Sequence, residues 1–95
     1  MKWRASHILV EDKDRAIKLL EELESGADFA ELAMEHSTCS SSFKGGDLGW
    51  FGPGKMVMQF ELATKRLKEV GDLSKVVQTQ FGFHIITLTG FKQLI

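Results

Sequence analysis

The sequence predicts an α+β fold: a small, largely antiparallel sheet with helices packed against it. Three observations carry this. A period-2 run opens the chain at Lys2–Val10. Two helical stripes follow closely. Two more strand-like runs close the chain after a third helix. With 95 residues there is room for one domain, 1–95, and no more.

In the opening strand, alternation puts Trp3, Ala5, His7 and Leu9 on one face and Arg4, Ser6, Ile8 and Val10 on the other. A helix is expected over Lys13–Ser25, where Ala16, Ile17, Leu20 and Leu23 fall at helical spacing and Leu19 widens the stripe. Asp12 is its expected N-cap and Gly26 its C′ residue. A second helix is expected over Asp28–Glu35. Asp28 stands three residues before Glu31, as in a capping box, and Phe29, Leu32 and Ala33 point inward. Ser37–Lys44 reads as a polar loop. The stretch GGDLGWFGPGK continues it as turns, with a short strand at Leu48–Phe51. A third helix starts near Val57, with Phe60, Ala63, Leu67 and Val70 inward and Gly71 at its end. Lys75–Gln78 and Phe83–Thr89 are the closing strands, joined by TQFG; His84, Ile86 and Leu88 share one face of the last.

Twelve basic residues face thirteen acidic ones, so there is no electrostatic footprint for nucleic acid or an anionic membrane. No apolar run approaches the length of a membrane span. MKWRASHILV lacks a continuous apolar signal core, and GFKQLI carries no anchor signal. The one cysteine, Cys39, can form no intrachain disulfide, which fits a reducing compartment. A cytoplasmic monomer is the default expectation, and an excised domain of a larger or secreted protein would read the same.

Four kinds of chemistry are open to these residue types. GGDLGWFG has the glycines of a phosphate loop, but it follows a loop, opens no helix, and carries Asp47. His7, His36, His84 and Cys39 show no metal-ligand spacing, so no metal site is expected. Cys39 could pair with a histidine as a thiol nucleophile, or fill space. Leu48, Trp50, Phe51, Met56, Met58 and Phe60 crowd an interval broken by glycines and Pro53, so they cannot all face one regular core. The excess suggests an apolar groove.

These pieces together resemble the parvulin-type peptidyl-prolyl cis/trans isomerases. The resemblance runs through SHILV (Ser6–Val10), DFAELA (Asp28–Ala33), CSSSFKGGDLGWFG (Cys39–Gly52), MVMQF (Met56–Phe60) and VQTQFGFHII (Val77–Ile86), in family order. It implies a four-stranded antiparallel sheet surrounded by three to four helices. It implies that His7 and His84 sit side by side as a hydrogen-bonded tandem, with Cys39 at a position held by Cys or Asp. Thr79 matches a hydroxyl position beside the histidines. Leu48, Met56 and Phe60 match the pocket for the proline ring, and Phe81 and Phe83 lie in a segment that edges the groove. The implied partners are proline-containing polypeptides, and no cofactor is needed. Trp50 and Phe51 would either exclude water or pack.

Three departures from the family pattern stand out. The third helix reads FELATKRLKEVG, where the family often has an acidic residue near Leu62 and an aromatic near Lys65. LSKVV lacks a proline before the third strand. EDKDR (Glu11–Arg15) is short and more acidic than basic, where one branch has a long basic loop that reads phosphorylated Ser/Thr before proline. Phosphate-directed specificity is therefore not expected. The rival readings are a non-catalytic proline- or peptide-binding chaperone module of the same fold, and a thiol hydrolase, which lacks an evident oxyanion site.

Overall fold

The computed structural model describes residues 1–93. Positions 94 and 95, the end of the GFKQLI run, lie outside the described residues. The elements are β1 (Lys2–Val10), α1 (Lys13–Glu24), α2 (Phe29–His36), a 3₁₀ turn (Ser40–Lys44), β2 (Asp47–Phe51), α3 (Met58–Arg66), β3 (Val77–Thr79) and β4 (Gly82–Lys92). One four-stranded antiparallel sheet has the order β2-β1-β4-β3.

The two central strands, β1 and β4, supply most of the sheet's buried apolar side chains, since both of their faces are covered. Ile8, Val10 and Ile85 meet Ala16, Leu19 and Leu23 of α1 and Leu32 and Ala33 of α2. On the other side Trp3, Ala5, Ile86 and Leu88 meet Phe51 and Phe60, with Ala63 and Leu67 packed against them. The site described below belongs to this second face.

Local signals set most boundaries. Asp28 accepts the Glu31 N–H at 3.0 Å and starts α2. A Schellman motif ends α1: Ala27 N–H donates to Glu22 O and Gly26 N–H to Leu23 O, both at 3.0 Å. Asp12 is at the N-cap of α1, but its side chain makes no capping bond. Ile17 is exposed, because it lies one step round the helix from Ala16 and off the sheet.

Larger departures are tertiary. The third helix stops at Arg66, and Val70 is exposed. The Asp72 carboxylate accepts the Lys68 and Glu69 N–H groups, each at 3.1 Å, and so takes two donors that a longer helix would use. Residues 71–76 then run along β4: Gly71 N–H donates to Leu88 O, and Ser74 N–H to Ile86 O, both at 2.8 Å. Regular pairing of β3 begins only at Val77, later than the expected Lys75. β4 extends beyond Thr89 because β1 pairs with it to its own start, Lys2 opposite Lys92, across a register shift between Arg4 and Ala5. The expected loop Ser37–Lys44 contains the 3₁₀ turn. At the outer turn of α3, Lys65 Nζ stands 5.6 Å from the Trp3 ring centroid, and it pairs with Glu61 at 3.2 Å.

Candidate active site

Adjacent central strands bring the two histidines together. His84 pairs with Leu9 and His7 with Ile86, so the rings meet diagonally rather than directly across. They stack at 5.1 Å with an interplanar angle of 25°, and their Nδ1 atoms are 3.0 Å apart. His7 Nε2 is 3.2 Å from Ser41 Oγ, and His84 Nε2 is 2.7 Å from Thr79 Oγ1. Thr79 Oγ1 also accepts the Phe81 N–H at 3.1 Å. A hydrogen-bonded chain thus runs from the 3₁₀ turn through both rings to the β3–β4 hairpin. All four ring nitrogens are engaged.

The Nδ1 contact has room for one proton. With both rings charged, two N–H groups would face each other. Burial and the neighbouring His84 hold His7 down to about 4, and burial lowers His84 too. The pair is therefore neutral near pH 7.

Gly46 sets the height of this assembly. Its carbonyl accepts the His7 N–H at 3.0 Å, and its φ is 88°. A Cβ there would stand 2.4 Å from the His7 carbonyl oxygen and 3.2 Å from Ala33 Cβ. Gly46 therefore threads between β1 and α2, where neither side can yield cheaply. Asp47 is structural as well: its oxygens take Arg4 Nε at 3.2 Å and Arg4 Nη2 at 2.7 Å, clamping β2 to β1. Gly46→Ala is expected to cost about 2–3 kcal/mol, from the left-handed φ and the backbone clash together. Urea denaturation checks this, and a variant as stable as the parent would show that the crossing relaxes freely.

A groove of about 360 Å³ opens over the tandem. His7, His84 and Cys39 line it with Leu48, Met56, Phe60 and Phe81, and also with Leu9, Lys55 and Val57. Phe60 is its floor, edge-on to His7 at 5.7 Å and to His84 at 5.6 Å. A larger hollow of about 580 Å³ lies between α3 and the 73–77 run, but it contains none of this constellation. Among the described residues, no group of three His, Cys, Asp or Glu is placed to hold a metal ion.

Seven of the eight expected site residues thus meet at one groove. Thr79 does not line it; it stands behind His84. Phe83 packs into the core on the α1–α2 side of the sheet, so its expected place at the groove edge is corrected by strand alternation. Phe51 is buried against Trp3 and Phe60, and half-exposed Trp50 rests on Gly90 under Lys92, so both hold the wall rather than line it. Ser41, Lys55, Leu9 and Val57 were not expected. Ser41 sits among three serines that nothing local distinguishes, and only the fold of the 3₁₀ turn selects it.

Comparison with known proteins agrees with this fold. The family model described as Rotamase, PPIC-type PPIASE domain, matches residues 7–90. The foldase protein PrsA of Geobacillus kaustophilus is 53% identical over 89 residues, 93% of this chain and 31% of the relative. The crystal structure of the peptidylprolyl isomerase PrsA from Bacillus anthracis superposes with a TM-score of 0.96 at 46% identity, covering 99% of this chain and 43% of that one. NmPin, the parvulin of Nitrosopumilus maritimus, gives a TM-score of 0.83 at 43% identity, covering 94% of this chain and 96% of that one. The chain spans about a third of the length of the curated relatives it matches.

Proposed function

The chain belongs to the PPIC-type peptidyl-prolyl cis/trans isomerase family, and from that premise we propose that its groove turns Xaa-Pro bonds in flexible polypeptides by a non-covalent route. The observation that carries the route is the engagement of every imidazole nitrogen. Among the described residues, no hydrogen bond joins the Cys39 thiol to either ring. A thiol without a base partner is a poor candidate for attack on the carbonyl.

The energetics ask for little more than an environment. Rotation about the amide costs about 18–20 kcal/mol because twisting destroys resonance. An uncatalysed Xaa-Pro bond relaxes in about 10–100 s. Acceleration to milliseconds needs about 5–6 kcal/mol. The planar amide is strongly dipolar and the twisted one less so, so a groove lined by Leu48, Met56, Val57, Phe60 and Phe81 disfavours the ground state more than the transition state. The neutral tandem puts no full charge beside the carbonyl. Its role in this reading is to fix the floor and orient the groove.

The β1–α1 connection is only Glu11 and Asp12, both acidic, which supports the absence of phosphate-directed selection. A protease-free isomerisation assay by exchange NMR tests the whole reading. Its panel compares Xaa-Pro peptides with their phosphoserine-proline counterparts. Acceleration of the plain peptides, with phosphoserine-proline within about threefold of glutamate-proline, is the expected result. Binding without acceleration would select the chaperone reading, and peptide cleavage the hydrolase. In the same assay Cys39→Asp is expected to stay within about tenfold of the parent, since Asp also supplies a polar neighbour but cannot serve as a thiol. Complete loss in a folded Cys39→Asp protein would restore the covalent route.

A further inference from the structure

The lining of the groove carries one permanent charge, that of Lys55, and no carboxylate. The backbone that places it is held firmly. Gly52–Lys55 is a tight turn in which the Lys55 N–H donates to Gly52 O at 3.4 Å. Pro53 and Gly54, with φ of 82° at Gly54, are the residues a type II turn requires. Gly54 N–H donates to Glu61 Oε1 at 2.8 Å, which staples the turn to α3. The other Glu61 oxygen holds Lys65 at 3.2 Å, so the acid that reaches this turn is engaged at both oxygens. Among the described residues, no carboxylate pairs with Lys55.

A cation on the rim of an otherwise apolar groove biases what lies beside the bound ring. We propose that Lys55 is a specificity determinant: the site favours prolyl bonds whose neighbouring residue carries a carboxylate, and disfavours those flanked by lysine or arginine. Lys55 is exposed where it lines the groove, so its ammonium stays in water. Its pull is therefore modest, reaches only flanking side chains, and weakens with salt. This inference rests on the isomerase reading above and names the substrate class of the same groove.

Exchange NMR on peptides that differ only in the residue before proline (Glu, Gln or Lys) tests it, with a second set varied after proline. At low salt the parent is expected to give kcat/KM in the order Glu, Gln, Lys, with about fivefold between the extremes in at least one set. The order is expected to collapse at about 1 M salt and to invert in Lys55→Glu. An identical order in the parent and Lys55→Glu overturns the inference and leaves the isomerase reading intact. No turnover of any peptide overturns the isomerase reading, and this inference falls with it.

Discussion

Phe60→Ala is expected to lower kcat/KM on Xaa-Pro peptides by about a hundredfold or more, and to cost about 3–5 kcal/mol of stability. Both effects come from one placement. The Phe60 ring is 3% exposed and meets His7, His84 and Phe51 edge-on within 6.0 Å. Removing it opens a cavity beneath the tandem, and both imidazoles lose the edge contact that orients them. The same deletion takes the floor from the proline pocket. Typical total stability is about 5–15 kcal/mol, so the variant must be assayed cold, with its folded fraction measured. Phe60→Leu separates the two roles, since it keeps most of the volume and costs about 1–2 kcal/mol. Turnover lost out of proportion to that cost places Phe60 in the site. Turnover equal to the parent's would leave it a core residue only.

How much of this was legible differs from one element to the next. β1, α1 and α2 follow local periodicity and local caps, so the sequence shows them nearly residue for residue. The end of α3 does not, because it depends on Asp72 reaching back to two N–H groups, and that choice follows from the run of 71–76 along β4. The far end of β4 is hidden for a related reason. Thr89–Lys92 has no apolar alternation, and it is a strand because Lys2–Arg4 is there to pair with it. At the site, periodicity puts His7 and His84 on strand faces, but only the family resemblance made the two strands neighbours. Ser41 and Lys55 escaped both routes. One is a serine among serines, and the other is a surface lysine whose meaning comes from the turn beneath it. The glycines of GGDLGWFG were legible as turn formers, while the collision that Gly46 avoids is visible only once β1 and α2 are in place.

Between pH 6.5 and about 4 the domain is expected to lose about 3 kcal/mol of folding stability through His7. The folded His7 pKa lies at about 4 and the ordinary histidine value at 6.5, so in this window the unfolded chain holds a proton that the native state refuses. Stability therefore rises with pH across it, is complete above about 6.5, and falls as pH drops through the folded value. His84, lowered by burial, acts in the same direction. The lowered carboxyls of Asp47 and Glu61 start from 3.8 and 4.5, so their contributions are lost further down and leave the stretch from about 5 to 6.5 to the histidines. Urea denaturation at several pH values should give a slope approaching 1.4 kcal/mol per pH unit for each histidine involved. A flat profile there would mean that the rings are solvated or charged, and the neutral tandem would be lost as an idea. His7→Ala should flatten the slope, lower Tm and reduce turnover together, since it leaves His84 Nδ1 and Ser41 without their partner and opens a void above Phe60. Loss of turnover with Tm unchanged would instead assign His7 a direct part in the reaction, because an orienting residue cannot be removed from a buried network without cost to the fold.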